Sequence, residues 1–378
     1  MYWQQRYLKE SAQVESKTTG LETIDLPKTG LLSGLELRVW GTNGDAIASP
    51  DVWLHDRLKK IEVIVNGSKV VKSLSGDQLL ADMLYKKIPH YGHGMKNINN
   101  ASAEEFFYIT FGRHYHDLDY MLDLSRVNDP ELRLDYDFGM TGHDGWTAGV
   151  AMADKPYYSL IPHLLRDAPI SPRGYIKTSE VARFTSGTSK KENMKVPMGP
   201  VYAMLYLQCL YKSHGLGYDI DKVELNLNND AIIPFSVGIT ELEAELVRKY
   251  GLFEMSQEVY LTGKQQYPFP LEIGEFFGRS VEAENALLAG GDLWACFSTA
   301  QYTVLSTQAA GTGSIFFFVT TRGAFPFSVA AIPVFDLEDE RTWIKSAELG
   351  DLWLRVEESA NAATSTVKLL ADEIVTAY

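Results

Sequence analysis

The sequence predicts an all-β protein that is built from two tandem β-sandwiches. Short runs of alternating apolar and polar residues are frequent, helix signals are few, and one order of strands, turn and helix occurs twice. Alternation with a period of two is typical of strands that bury one face. Many such strands at short spacing, with only two short helices, favour a sandwich over a fold in which helices connect parallel strands.

Five runs carry the alternation most clearly. Their apolar residues are Leu35, Leu37 and Val39; Ile61, Val63 and Val65; Leu132, Leu134, Tyr136 and Phe138; Leu225 and Leu227; and Leu352, Leu354 and Val356. Turn-forming residues separate the runs, among them Asn66-Gly67 and Asn228-Asn229-Asp230. Because these residues are typical of tight turns, we expect hairpins at both positions.

Two short helices are expected. One follows Ser75-Gly76-Asp77 and carries apolar residues at helical spacing as far as Leu84. The other begins near Thr240, which stands three residues before Glu243 as in a capping box, and ends at Gly251.

The two helices belong to a repeated pattern. An offset of 162 residues places Ile61 on Val223, the turn at Asn66 on Asn228, and Leu80 on Leu242. A chance match of amphipathic strands is the alternative, but the shared order of strand, Asn turn, strand and helix favours an internal duplication. The boundary between the copies is expected in the Pro-containing stretch 167–175.

The second copy is longer than the first. Glu131–Tyr136 matches Asp351–Val356 at an offset near 220, which leaves about 70 extra residues in the second half. We expect them at about 274–343, as a β-rich insertion with its own hairpins at the surface. The expected organisation is an N-terminal arm at 1–20, a first sandwich at 21–168 and a second at 169–378.

Charge and cysteine content exclude several classes of function. The 378 residues include 35 Lys and Arg against 49 Asp and Glu, which gives a net charge of −14. Direct nucleic-acid binding is not expected, because it depends on cationic side chains that displace counterions. Cys209 and Cys296 are too few for a disulfide framework or a cysteine-based zinc site. No apolar stretch approaches the roughly 20 residues of a membrane helix, so we expect a soluble chain.

The strongest candidate for a metal site is the pair His114 and His116. On a strand, both side chains would point to one face, and a His-x-His pair can bind a metal. A duplicated sandwich with such a pair suggests a two-domain cupin-like metalloenzyme, but Tyr120 and Met121 stand where a cupin carries its Glu. We therefore expect no metal and no cofactor, and keep the metalloenzyme as an alternative.

Other candidate sites are weaker. Asp135 and Asp137 would share a strand face, and Asp117, Asp119 and Asp123 could offer oxygen ligands to Ca²⁺. Gly311–Ser314 lacks the Lys of a phosphate-binding loop, and no nucleophile elbow is present. A carbohydrate-binding sandwich that uses Trp146 or Trp294 is a further alternative.

The N-terminal residues predict a contact surface. Trp3, Tyr7 and Val14 would lie near one face of a helix, with Arg6 close by. An aromatic and basic arm of this kind can rest at a lipid headgroup surface or dock on a neighbouring subunit. A frayed terminus is the alternative interpretation.

Two tandem sandwiches, each with a helix after a paired strand, resemble the double jelly-roll major capsid proteins of tailless icosahedral viruses with an internal membrane, whose architecture the adenovirus hexon shares. Four stretches carry the resemblance. Leu26–Leu32, leading into Leu35–Val39, resembles the opening strand of the first jelly roll, and Ile61–Leu74 resembles its central hairpin. Met198–Leu207 resembles the opening of the second roll, and Asp351–Val356 with Val367–Ile374 resemble its closing strands.

The resemblance implies two eight-stranded jelly rolls and a structural function without catalytic residues. It implies a homotrimer with a pseudo-sixfold outline, because two similar sandwiches in each of three chains present six similar edges. Neighbouring trimers, minor capsid proteins and membrane lipids would be its partners. The insertion would be an outward tower, and the location would be the virion after synthesis in the host cytoplasm.

Overall fold

The computed structural model describes residues 1–42, 53–90, 92–93, 102–139, 152–210, 215–262, 266–270, 273–283, 293–297, 301–306, 314–362 and 364–376. Among these residues, no helix has both the length and the apolar character that crossing a bilayer requires.

The described elements of the first half are mostly strands. In chain order they are β1 (Tyr2–Gln5), β2 (Lys9–Gln13), β3 (Thr19–Asp25), β4 (Leu31–Thr42), β5 (Leu58–Val65), β6 (Lys69–Leu74), α1 (Gly76–Tyr85), β7 (Gly92–His93), β8 (Ser102–Thr110), β9 (Leu122–Asp123), β10 (Glu131–Asp137) and β11 (Tyr157–Arg166). Short 3₁₀ helices occupy His55–Arg57 and Leu124–Arg126.

These strands form the two walls of a jelly roll. The first wall, called sheet A, has the order β1-β11-β4-β8-β7, and β2 also pairs with β11. The second wall has the order β3-β10-β5-β6. Along the chain, β1 with β2, β3, β4, β5, β6, β8, β10 and β11 are the eight strands of the roll. They change walls at every step except from β5 to β6, which is a hairpin.

The second half repeats this arrangement. Its described elements are β12 (Tyr175–Thr185), β13 (Lys191–Lys195), β14 (Val201–Leu210), α2 (Leu216–Asp219), β15 (Ile220–Leu227), β16 (Ile232–Gly238), α3 (Ile239–Tyr250), β17 (Phe253–Thr262), β18 (Gln266–Pro270), β19 (Ile273–Ala283), β20 (Leu293–Phe297), β21 (Gln301–Ser306), β22 (Ser314–Pro326), β23 (Val329–Ala331), β24 (Ile344–Lys345), β25 (Leu352–Glu358) and β26 (Thr366–Val375). Short 3₁₀ helices occupy Glu340–Thr342 and Ser346–Glu348.

In the second roll, β13-β25-β15-β16 form one wall, called sheet E, and β12, β26, β14 and β23 form the other. Between α3 and β23, two further three-stranded sheets are inserted, with the orders β17-β22-β19 and β18-β21-β20. The inserted sheets therefore run from Phe253 to Pro326, overlapping the insertion expected at about 274–343.

One sheet runs through both rolls. Its order is β23-β14-β26-β12-β6-β5-β10-β3, so that four strands of each roll meet where β12 pairs with β6. This pairing is parallel and short, with Thr178 opposite Lys72 and Ser179 opposite Ser73. The two rolls are thus hydrogen-bonded side by side.

The repeat expected from the sequence is present in detail. β5 and β15 begin at Leu58 and Ile220, at the predicted offset. β9 pairs with the start of β4, and β24 pairs with the start of β14 in the same way. Gly30 and Gly199 precede β4 and β14 with φ angles of +102° and +113°. A positive φ angle is accessible to glycine without a Cβ penalty, which explains why both chain reversals use it.

The expected core is confirmed with one exception. All the apolar residues of the five predicted runs are buried except Leu227, which is half-buried. A register shift between Leu225 and Leu227 places Asn226 inward instead, fully buried. A β-bulge of this kind reverses the facing of the residues that follow it, and sequence alternation alone does not reveal it.

Three expectations about element starts are wrong. The opening strands of the rolls are β1 with β2 and β12, whereas the stretches assigned to the openings contain β4 and β14, the third strands. The N-terminal residues form the strands Tyr2–Gln5 and Lys9–Gln13 and not a helix. α3 begins after Gly238 without a side-chain cap, so Thr240 is not its cap, whereas Ser75 and Gln78 form a capping box at α1.

Candidate functional site at the junction of the two jelly rolls

A row of buried polar side chains crosses the junction between the rolls. Lys72 on β6, Thr178 on β12 and Asp372 on β26 are direct neighbours in the sheet register. α1 packs over this row and adds Asp82 and Lys86. None of the five residues is more than 4% exposed. We call these five residues the junction network.

The contacts of the junction network join both rolls. The Lys86 ammonium lies 2.6 Å from Asp82 Oδ1 and 3.2 Å from Asp372 Oδ2. Lys72 Nζ lies 3.4 Å from Asp82 Oδ2 and also donates to the Thr178 hydroxyl. That hydroxyl in turn donates to Asp372. Two cations therefore balance two carboxylates inside the protein, as buried charges require.

Burial and pairing set the protonation of the network. Burial lowers the pKa of Lys72 to about 8. Burial alone would raise the pKa of Asp82, but Lys72 and Lys86 hold it below its usual value. Burial alone would likewise lower the pKa of Lys86, but Asp372 and Asp82 raise it. At neutral pH all three groups are therefore charged, and the network is ionic.

Further hydrogen bonds extend the junction. Tyr206 on β14 donates its hydroxyl hydrogen to Asp372 Oδ2 at 3.0 Å. Gln78 of α1 donates to Gln208 of β14 at 2.9 Å, and the Tyr85 hydroxyl donates to the Val329 carbonyl at 2.8 Å. Because the Gln78–Gln208 and Tyr85–Val329 bonds each have one partner in each roll, sliding or rotating the rolls would leave buried polar groups unpaired.

A second contact joins the rolls nearer the surface. Arg173, in the connection between the rolls, lies 2.7 Å from Glu340 Oε2, and Tyr120 donates to Glu340 Oε1 at 3.3 Å. The Arg173 and Glu340 side chains are 54% and 37% exposed, so this ion pair contributes little stability by itself.

Sequence reasoning did not find the junction network. Its members are separated by up to 300 positions, and no spacing rule connects them. The one local signal is Lys72, which follows Val70-Val71 in a strand that is otherwise apolar on its buried face.

The predicted N-terminal contact residues lie on the first roll. Trp3 stands opposite Leu165 in the sheet and stacks on His116, with ring centroids 3.8 Å apart and planes 12° apart. Arg6 and Tyr7 lie between β1 and β2, and both are exposed. Trp3 therefore packs against a residue of its own chain, whereas Arg6 and Tyr7 face solvent.

His114 and His116 lie in a loop and not on a strand. His116 has a φ angle of +57° and its Nε2 is 3.1 Å from His163 Nδ1, whereas His114 Nδ1 is 3.0 Å from the Tyr115 carbonyl oxygen. Burial, and then His163, lowers the pKa of His116 to about 4. In the part of the chain that the structure describes, no group of three or more His, Cys, Asp or Glu side chains is placed to bind a metal.

Three of the other candidate carboxylates, Asp137, Asp117 and Asp123, have partners in the chain. Asp137 accepts from Lys59 at 2.9 Å, while Asp135 is exposed on β10. Asp117 forms an ion pair with Arg113 at 2.7 Å, and Asp123 caps a 3₁₀ helix by accepting from the Ser125 amide.

The remaining alternatives rest on residues that are only partly described. Trp294 lies in β20, and its side chain is outside the description. Trp146 and residues 311–313 lie outside the described residues.

Neither a protein-family model nor a curated protein matches the sequence. Solved structures match over nearly the whole chain. The chain is similar to the crystal structure of the STIV MCP, with a TM-score of 0.63 and 11% identity over 100% of this chain and 98% of that one.

Two other solved structures resemble the chain. PBCV-1 VP54 gives a TM-score of 0.55 at 9% identity, over 99% of this chain and 95% of that one. The major capsid protein P2 from bacteriophage PM2 gives 0.53 at 10% identity, over 99% and 98%. At these identities the comparison establishes the fold: the chain is a double jelly roll of the architecture found in viral major capsid proteins.

Proposed function

We propose that the chain is a viral major capsid protein with a structural function. The observation that carries the proposal is the match of both rolls, in one alignment, to the STIV MCP over 98% of that chain. A match to one roll only would be compatible with many kinds of protein, because single jelly rolls occur in many of them. A match over both rolls supports the tandem unit as the functional part of the molecule.

The junction supports a structural role for the two tandem rolls. A shell subunit must present fixed edges to its neighbours, and two rolls on a flexible linker would not do so. Here one continuous sheet, the junction network and α1 hold the rolls in one orientation. The polar groups of the junction network bind one another. They are therefore unsuited to catalysis, which supports a role without enzymatic activity.

We propose a homotrimer as the assembly unit. Two similar rolls in each of three chains present six similar edges, which fit a hexagonal lattice. The exposed large apolar residues of the described chain fall into two groups. On the first roll they are Met1, Tyr2, Tyr7, Leu21, Tyr115, Leu118 and Tyr157; on the second they are Ile232, Ile233 and Leu252. Exposed apolar residues on both rolls would allow contacts between unlike surfaces of neighbouring chains, and such contacts form a ring when their rotation closes.

We propose that the roll boundary lies between β11 and β12, near residue 168, and that the two inserted sheets form a tower that faces outward. The expected arm at 1–20 would then be the first strand of the first roll, because β1 and β2 pair with β11.

Trp3, Arg6 and Tyr7 remain the proposed contact with a neighbouring subunit or membrane lipids, with Arg6 and Tyr7 making the contact directly. Minor capsid proteins are further proposed partners. The net charge of −14 supports a shell that does not bind nucleic acid directly. The proposed location is the virion, after synthesis in the host cytoplasm.

The mass of the purified chain in solution tests the proposal. Size exclusion with light scattering should give a species near three times 42.3 kDa, stable on dilution to nanomolar concentration. Negative-stain electron microscopy of that species should show a pseudo-hexagonal outline. A monomer or dimer at micromolar concentration contradicts the trimer, and a trimer that never forms sheets or shells under crowding contradicts the capsid role.

A further inference from the structure

A cleft of about 430 Å³ opens at one end of the seam between the rolls. β5 and β6 of the first roll line one side, β12 and β26 of the second line the other, and the start of α1 closes the cleft. Its charged lining residues are Lys59, Lys60, Arg183, Lys368 and Glu180.

The charge of the cleft is opposite to that of the chain. Acidic residues outnumber basic ones in the whole sequence by 49 to 35, but the cleft is lined by four cations and one carboxylate. Two of these cations, Arg183 and Lys368, stand directly opposite each other on β12 and β26. Like charges in this position repel and destabilise the sheet unless an anion lies between them.

Among the residues that the structure describes, Lys368 is the cleft cation without a counter-charge. It is half-buried and forms no ion pair with any residue that the structure describes. The other three cations bind carboxylates: Lys59 binds Asp137 at 2.9 Å, Lys60 binds Glu62 at 2.7 Å, and Arg183 binds Glu180 at 3.0 Å. The cation of each of these pairs is 45% to 70% exposed, and such pairs contribute only about 0–1 kcal/mol, so a ligand can replace them.

The start of α1 adds polar groups on the same side. Ser75 caps the helix and lines the cleft together with Gln78. The first turn of a helix carries a partial positive charge, and in α1 the chain's own Asp77 already lies there, so the cations of the cleft carry the attraction for a ligand. The cleft therefore combines a guanidinium and an ammonium that has no ion-pair partner in the described part of the chain, around a space of ligand size.

We propose that this cleft binds an oxyanion group, a phosphate or a sulfate, carried by a small molecule or a sugar. Arg183 offers two parallel N–H donors to such a group, and Lys368 supplies a point charge from the neighbouring strand. Since β5 and β12 belong to different rolls, the bound anion bridges them at this end of the seam.

Titration calorimetry of the full-length protein tests the proposal, with tripolyphosphate and a sulfated heparin disaccharide as probes at constant ionic strength. We expect one site per chain and an affinity that falls at least tenfold in Lys368→Gln and in Arg183→Gln. Tighter binding of tripolyphosphate assigns a phosphate ligand, and tighter binding of the disaccharide assigns a sulfated glycan.

Lys28→Gln is the matched control, because this substitution removes the same positive charge at an exposed position outside the cleft. It should bind both probes as the unchanged protein does. The proposal is overturned if neither probe binds at millimolar concentration, or if Lys368→Gln and Lys28→Gln weaken binding equally. Thermal melting of each variant separates lost binding from lost folding.

Discussion

The ammonium of Lys86 lies 3.2 Å from the carboxylate of Asp372, which follows it by 286 positions in the sequence. This pair ties the last turn of α1 in the first roll to the final strand of the second. Both side chains are fully buried, and Lys86 provides the positive charge for Asp372 in the second roll as well as for Asp82 in the first. The orientation of the rolls and the ionic state of the core are thus linked.

Replacing Lys86 with Met should destabilise the protein by about 3–5 kcal/mol, because Asp82 and Asp372 would then share Lys72 as their cation. Urea unfolding followed by circular dichroism measures the loss. The control is Lys28→Met, which breaks an ion pair whose side chains are 74% and 80% exposed. The control should lose no more than about 1 kcal/mol, and equal losses would contradict a special role for the junction network.

Acid should weaken the protein through His116. Its pKa is lowered to about 4 in the folded chain, by burial and by His163, from an ordinary value of 6.5. Between these values the unfolded chain binds a proton that the folded chain does not, so stability falls as pH drops from 6.5 to 4.

The variant His116→Asn isolates this effect, because Asn tolerates the left-handed backbone found there. Melting temperatures at pH 7, 5.5 and 4.5 should fall less steeply for the variant than for the unchanged protein. Comparing slopes cancels the lost stacking on Trp3, which lowers both ends of the curve. Parallel curves would show that His116 does not titrate in this window.

Gly76→Ala should be destabilising by about 1–3 kcal/mol, although alanine normally favours a helix. A Cβ at this position would lie 2.2 Å from the backbone oxygen of His55, and backbone cannot move aside as a side chain can. Gly350→Ala is the control, since its Cβ would meet only Asn228 Oδ1 at 3.5 Å. A neutral Gly76→Ala, measured by thermal melting, would mean that the two backbones are farther apart in solution.

The N-terminal residues should fall into two groups, one that stabilises the first strand and one that makes the proposed contact. Trp3→Ala removes the stacking on His116, so limited proteolysis should cut the first strand faster in this variant. Arg6→Ala and Tyr7→Ala change exposed side chains and should melt as the unchanged protein does.

In sedimentation with anionic vesicles, or in shell assembly, Arg6→Ala and Tyr7→Ala should then show the larger defect. Unchanged binding and assembly in both variants would remove these two residues from the proposed contact.

The alternation of apolar and polar residues predicted strands that pair with other strands of the same sandwich. In the runs at Leu35 and Leu132, buried apolar residues alternate with polar or aromatic residues that are half-buried or exposed, so the period of two is visible in the sequence. The first strand escaped because β1 and β2 lie at the edge of sheet A, where most of their side chains are exposed. When most side chains on both faces of an edge strand are exposed, its sequence shows no alternation of apolar and polar residues.

The sequence by itself determined the all-β class, the duplication and the capped start of α1, since each depends on residues close together along the chain. Tertiary structure alone decided the junction network and the cleft at the seam. Lys72 is the one member with a local signal, and no sequence pattern connects it with Thr178 and Asp372, which meet it only because β6, β12 and β26 become neighbours. Contacts between distant strands depend on the folded register, which local patterns of hydrophobicity do not encode.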